Sequence, residues 1–343
     1  MLFPWANTVL LILLLTLAGS GYAVLTNGAE PFRFWTWLHG AGGMGVVILL
    51  VWKGRNVFSA WKSGLEWTLR RVAFAVLAGI LLGTLASGFI WTWNGPLYLS
   101  TFSLMTVHSL LGVLLAALLI WHFWVMRFIV NHPASHDRRA ALRLLGAGLA
   151  GAGLWIAWNA GKKGLELTGA LRRFSGSYET GSGTPNFPAV IWLNDRIPAV
   201  GLDTWRLKVE GQVARLVEFG YDRLSELPQA ALTAELDCTG GWYTVQEWTG
   251  IPLDLLLEQA GPLAEAASVV VHSVTGYWRR YSLEEARLGL LATGVAGQAL
   301  SPGHGFPLRL VMPGRRGFEW VKWVERIEIS PLPAAWQPPL PLQ

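Results

Sequence analysis

Cysteine is nearly missing from this 343-residue chain. Cys238 is the sole example, which excludes an intrachain disulfide framework and any metal site built from several thiolates. Charge is scarce as well: charged side chains make up 14% of the sequence against 52% hydrophobic, with a mean hydropathy of +0.38. Part of the chain must therefore face lipid. Acidic residues are rarest where the sequence is most apolar. Residues 1–160 hold 3 Asp and Glu beside 10 Lys and Arg, and the remainder holds 19 beside 17. The net charge of +5 divides into +7 and −2, so a membrane half precedes a nearly neutral soluble half. The pI near 9.5 implies no nucleic-acid partner, because the positive surplus lies in short loops between apolar runs and not on a basic face. No repeat at a solenoid period is present.

Five apolar stretches, at residues 6–26, 35–53, 72–93, 104–126 and 144–160, approach the ~20 residues that a bilayer crossing requires. Lys53, Arg55, Lys62, Arg70 and Arg71 flank the connection between the second and third. Arg127, Arg138, Arg139 and Arg143 flank that between the fourth and fifth, whereas the other two loops carry only Arg33. The positive-inside bias then predicts a cytoplasmic N-terminus in a bacterial inner membrane, with everything after residue 160 in the periplasm. Trp residues near the span ends, such as Trp35, Trp91 and Trp155, suit an interfacial belt. Arg138 and Arg139, followed by Leu142 and a Gly/Ala-rich helix, look like an internal twin-arginine export signal. They equally obey the positive-inside bias.

Histidine is informative by position. His39 and His108 each stand five residues into a span, and the two spans run in the same direction, which predicts two imidazoles at one depth near the periplasmic face. His122 follows His108 by 14 residues, about 21 Å along a helix and within about 40° of the same face. Glycines at 40, 42, 43, 45, 79, 83, 88 and 112 are expected to leave room for a flat macrocycle. The pattern resembles the membrane cytochromes b, in which paired histidines hold haem b. It departs from them at Lys53, which occupies the place of the partner expected for His122. One bis-histidine haem, at His39 and His108, is expected. For a second at His122, Lys53 as an unusual ligand, His132 folding back, or a relic all remain open, and Lys53 reads first as a snorkelling anchor.

Residues 161–180 read as a polar linker and 331–343 as a Pro-rich tail extended over a surface. Between them, segments such as WRLKVEGQV, ALTAELDCT, ASVVVHSVT, PLRLVMP and VKWVERIEI have strand character, while LDLLLEQAG and LEEARLGLLA have helical periodicity. The expected fold is a membrane all-α five-helix bundle (1–160) followed by an α+β domain (181–330). Cys238 ends a strand before Gly240 and Gly241, a turn open enough for a bulky group to approach the sulfur. One thiolate cannot complete a zinc or iron–sulfur site, so a metal bound here must bring most of its own ligands.

The run from Asp237 to Leu257, the SVTGYWRRYSLEEA segment and PGHGFPLRLVMPGRRGFEWVKWVERIEI resemble the sulfite-oxidase-type molybdopterin oxidoreductases, including the methionine-sulfoxide-reductase-like members. The resemblance implies Cys238 as the protein ligand to molybdenum, with Asn186, His304 and Arg309 contacting the pterin or its phosphate. The loop Gly314, Arg315, Arg316 and Gly317 offers backbone N–H groups and guanidinium forks to an anion, and Lys322 adds a point charge. The GRRGF string and Glu319 depart from the reductase subgroup, and Trp242, Tyr243 and Trp248 are candidates for the pocket wall or for core. The resemblance implies oxygen-atom transfer, first to reduce a small-molecule or protein sulfoxide or an N-oxide, with electrons through the fused haem from a quinone or another respiratory carrier. Its alternatives are a sulfite dehydrogenase feeding the respiratory chain and a non-catalytic membrane binding or sensing protein.

Overall fold

A computed structural model describes residues 3–62, 69–100, 102–125, 138–192, 195–338 and 340–341. The chain divides into two compact units, one spanning 1–25 and 29–178, the other 26–28 and 179–343.

The first unit is built on five long helices: α1 (Pro4–Thr26), α2 (Arg33–Lys62), α3 (Leu69–Asn94), α4 (Leu104–Val125) and α5 (Arg138–Gly164). All five are long and apolar enough to cross a membrane. Leu82, Leu145, Leu149 and Ile120 face outward, as they must where the solvent is hydrocarbon and every backbone polar group has to be satisfied within its own helix. Arg138 and Arg139 open α5, whereas His132 lies outside the described residues. Helix α2 runs nine residues past the expected end at 53, because Lys53 does not end it: the ammonium donates to Asn7 Oδ1 of α1 at 2.9 Å. Helices α2 and α5 pack backbone to backbone, and a Cβ on Gly151 would stand 2.8 Å from the nitrogen of Gly45. The stretch read as a linker is folded. Helix α5 continues to Gly164, a short 3-10 turn covers Thr168–Leu171, and Gly169 lies against the carbonyls of Thr92 and Trp93 so closely that only glycine fits.

The second unit is a mixed α/β domain with two sheets. Its strands are β1 (Leu207–Gly211), β2 (Val217–Phe219), β3 (Ala230–Cys238), β4 (Trp242–Pro252), β5 (Ser268–Ser273), β6 (Trp278–Ser282), β7 (Leu290–Val295), β8 (Gln298–Ala299), β9 (Arg309–Val311) and β10 (Val324–Ser330). One sheet holds β3, β4, β7, β8 and β9, all antiparallel. The other runs in the order β2-β1-β10-β5-β6, with β1 and β10 parallel. Helices α6 (Tyr221–Ser225), α7 (Leu253–Ala260) and α8 (Leu283–Ala286) complete it. The helical reading of LEEARLGLLA is corrected here, since the helix stops at Ala286 and β7 begins at Leu290. Pairing with β4 and β9 outweighs the local period. The core joins both sheets through Trp248, Ile251, Leu257, Leu291, Leu310, Val311, Val324 and Ile327. The Pro-rich tail lies along the second sheet, where Ser268 donates to the Leu332 carbonyl and Arg279 to that of Pro338.

Candidate functional site

The β3–β4 hairpin presents the thiol. Cys238 pairs with Trp242 across a three-residue loop, Gly241 takes φ +88° and its N–H closes the turn on the Cys238 carbonyl at 3.0 Å. Gly240 donates its N–H toward Sγ at 3.4 Å, and a Cβ there would stand 3.5 Å from the sulfur. The missing side chain is what keeps this side of the thiol accessible. Burial pushes the Cys238 pKa up, opposed by that N–H and by the charges of Arg316 and Lys322. A thiolate here is therefore favoured by the neighbouring cations.

Arg316 is buried and forms a 2.6 Å ion pair with buried Asp237, while its Nη2 donates to the Cys238 carbonyl at 3.3 Å. Gly317 packs against the backbone of Cys238, its absent Cβ 3.3 Å from Cys238 Cα. Arg315 turns away to Glu285 and Glu319, whose carboxylates offset its charge. Both guanidinium groups of the Gly314–Gly317 loop are therefore engaged by carboxylates, and the loop locks the hairpin that carries the thiol. Glu319 itself is held by buried Arg279.

The uncompensated cations are elsewhere. Arg309, on β9, is 2% exposed. It lies over the faces of Trp248 and Trp320 and donates to the His304 carbonyl at 3.2 Å, while its Nε has no partner among the described residues. Lys322 donates to the carbonyls of Val190 and Gly303 at 2.8 and 2.6 Å. Among the described residues neither meets a carboxylate. Burial pulls Lys322 down to about 7, with Arg309 adding to the effect, and Arg309 down to about 9. His304 stacks on Phe187 at 4.0 Å, its Nε2 3.0 Å from the Phe187 carbonyl, which brings exposed Asn186 beside it. Burial likewise lowers the His304 pKa. One buried cation with an orphaned N–H and one half-buried cation, both within electrostatic reach of one thiol, fit an anionic, phosphate-bearing cofactor that carries its own metal ligands. Trp242 and Trp248 are buried in the core below.

In the first unit, the rings of His39 and His108 stand 5.9 Å apart, centroid to centroid, and nearly perpendicular at 85°. Each is held in the same way. His39 Nδ1 donates to the Leu17 carbonyl at 3.1 Å and lies 3.2 Å from Ser20 Oγ. His108 Nδ1 donates to the Thr84 carbonyl at 2.9 Å and lies 3.3 Å from Ser87 Oγ. Four residues after each carbonyl comes a glycine, Gly21 or Gly88, whose Cβ would press on the ring at 3.1 or 2.9 Å. The bare turn lets the imidazole reach a carbonyl already used by its own helix. With Nδ1 committed, neither Nε2 has a hydrogen-bond partner among the described residues. Two imidazoles on one iron, with bonds of ~2 Å, would place their centroids about 6 Å apart. His122 instead stands edge-on to Phe74 at 5.1 Å. Several glycines expected to make room for a macrocycle serve close packing; Gly40, for instance, is covered by Trp155. Sequence reasoning missed Ser20 and Ser87, although Thr-Leu-Ala precedes Ser-Gly in both helices, directly at Thr84 and with one inserted glycine at Thr16. Among the described residues no three His, Cys, Asp or Glu converge on a bare ion.

The family described as oxidoreductase molybdopterin binding domain matches residues 194–335. The crystal structure of the sulfane dehydrogenase SoxCD from Paracoccus pantotrophus is similar at 28% identity over 40% of this chain, with a TM-score of 0.38. The chain spans 40% of that protein's length. The C-terminal part of this chain is a molybdopterin-oxidoreductase catalytic domain, preceded by five apolar helices.

Proposed function

We propose that the protein is a membrane-bound periplasmic oxidoreductase that oxidises a sulfur oxyanion such as sulfite at Cys238 and sends the electrons into a b-type haem between His39 and His108. The observation that carries the reading is the charge balance at the thiol, where among the described residues three cations, Arg309, Arg316 and Lys322, outnumber the two carboxylates that act on the same groups, Asp237 beside the thiol and Asp195 toward Lys322. A surplus of buried positive charge favours an anionic cofactor together with an anionic substrate, whereas a sulfoxide or N-oxide would bring no charge to offset it.

Cys238 Sγ would hold the molybdenum, with Arg309, Lys322, His304 and Asn186 on the pterin and its phosphate. When bound, that group supplies a two-electron, oxygen-atom-transferring centre. The chain's own work is positioning. The Asp237–Arg316 pair fixes the hairpin, Gly240 keeps the sulfur approachable, and Trp248 with Trp320 holds the Arg309 guanidinium in a dry setting. Oxidation of sulfite with water yields sulfate, two protons and two electrons. His39 and His108, each tied to a carbonyl through Nδ1–H in a way that raises the basicity of Nε2, would hold the haem iron, and the haem would supply a one-electron carrier. A quinone or another respiratory carrier is the acceptor.

Metal and haem analysis of the detergent-solubilised full chain, with sulfite plus ferricyanide assayed against methionine sulfoxide plus reduced dye, tests the reading. Molybdenum and one haem with sulfite turnover support it. Turnover of the sulfoxide alone overturns the direction, and a fully loaded preparation without haem overturns the electron path.

A further inference from the structure

A basic and aromatic cluster lies at the end of the bundle next to His39. Its floor is Trp155 of α5, whose indole packs on the backbone of Gly40, the residue after His39. A Cβ on Gly40 would fall 2.3 Å from the ring. Two cations share that indole. Lys162 Nζ stands 5.9 Å from its ring centroid and the Arg172 guanidinium 5.8 Å. Lys162 is 3% exposed and donates to the Gly169 carbonyl at 3.3 Å. Arg172 is half-buried and reaches the same indole from the residue that follows the 3-10 turn. Among the described residues neither cation forms an ion pair. Chain direction explains their convergence, because the N-terminal turns of α2 and α4, which carry the imidazoles, and the C-terminal turn of α5 reach the same face of an antiparallel bundle.

Two like charges held together beside one indole, one buried and one half-buried, repel each other and lose hydration. A pair of carboxylates would reverse both penalties. A haem held between His39 and His108 would have two such groups, its propionates, and they are its only anionic side groups. We propose that Lys162 and Arg172 anchor the haem propionates, with Trp155 as the platform that spaces the two cations. This assignment rests on the haem reading above. It makes Lys162 and Arg172 positioning residues that fix which edge of the macrocycle faces the membrane surface and stabilise the reduced, more negative haem.

The test uses the full-length chain in detergent, freed of haem and reconstituted with haemin or with haemin dimethyl ester, whose propionates are masked. The unsubstituted chain should bind the ester about tenfold more weakly, as expected from losing a charge-assisted contact. The K162Q/R172Q double variant should bind haemin that much more weakly and discriminate no further against the ester, with a lower midpoint potential at an unchanged bis-imidazole spectrum. R172K should restore part of both. Equal weakening toward haemin and ester in the variant, or an unsubstituted chain indifferent to esterification, overturns the anchoring role. If the unsubstituted chain takes up neither compound, it is the haem reading that fails.

Discussion

The two units prepare their candidate centres by opposite means. In the helical unit the groups at the centre are neutral, and orientation comes from carbonyls uncovered by glycine, with each imidazole tied through Nδ1. In the α/β domain the centre is a thiol set among cations, and orientation comes from a buried ion pair and two tryptophan faces. The difference follows from the solvent. A charge buried in hydrocarbon has no nearby water to relax into, so the membrane site uses uncharged donors and keeps its cations at the bundle's end. A domain in water can assemble several charges and hold them for an anionic ligand.

Separating the two centres is the largest effect available. Replacing Cys238 with Ser should remove molybdenum and lower turnover by at least about a thousandfold, leaving haem content untouched. Metal analysis beside an optical spectrum reads both, and a Cys238→Ser protein that keeps its molybdenum would break the contrast. Reciprocally, His39→Ala or His108→Ala should abolish the haem spectrum and retain molybdenum. Electron transfer from substrate to a quinone analogue should stop while reduction of a soluble dye continues.

Next in size is the electrostatic preparation of the α/β site. In the cofactor-free protein the Lys322 pKa falls to about 7 from an ordinary 10.5, so between these values the unfolded chain holds a proton that the folded chain lacks. Stability of the cofactor-free protein should therefore rise as pH increases through that window. Below about pH 7 the penalty of the buried ammonium is fully present. Lys322→Met should flatten this part of the profile, and bound cofactor should do the same by stabilising the ammonium. Denaturant unfolding at a series of pH values, with and without cofactor, measures both.

Much of this was legible in the sequence, for physical reasons that differ between the units. Lipid leaves a coarse signature, so all five helices were visible from apolar runs and the flanking Lys and Arg. Their ends were not: α2 passes Lys53 because Asn7 satisfies the ammonium locally. The juxtaposition of His39 and His108 followed from counting depth along parallel spans. In the α/β domain the cysteine, HGFPLRL and GRRGF segments stood out in the sequence and the fold brings them together, but the division of labour among their cations did not show. Arg315 and Arg316 form ion pairs with carboxylates, and among the described residues Arg309 and Lys322 form none. That distinction depends on Asp237, Glu285 and Glu319, which only the folded chain brings into place. Strand β7 was hidden for a similar reason, since its neighbours in the sheet and not its own period decide its state.

The smallest effect probes the membrane site's internal likeness. Ser20 and Ser87 stand in corresponding positions on α1 and α3, each 3.2–3.3 Å from an imidazole Nδ1, so the two helix pairs should contribute equally to holding the rings. A hydrogen bond between membrane helices is worth about 0.6 kcal/mol on average. Ser20→Ala and Ser87→Ala should each lower stability by that order, leave haem bound, and loosen the near-perpendicular ring setting enough to change the electron paramagnetic resonance of the oxidised haem. The glycines should matter more than the serines. Gly88→Ala forces a methyl to 2.9 Å from the His108 ring, against 3.1 Å at His39 for Gly21→Ala, so haem loss should be greater for the α3 variant. Equal spectra after Ser20→Ala and unequal ones after Ser87→Ala would mean that one imidazole is fixed by its carbonyl alone, and the apparent two-fold design would reduce to a shared spacing.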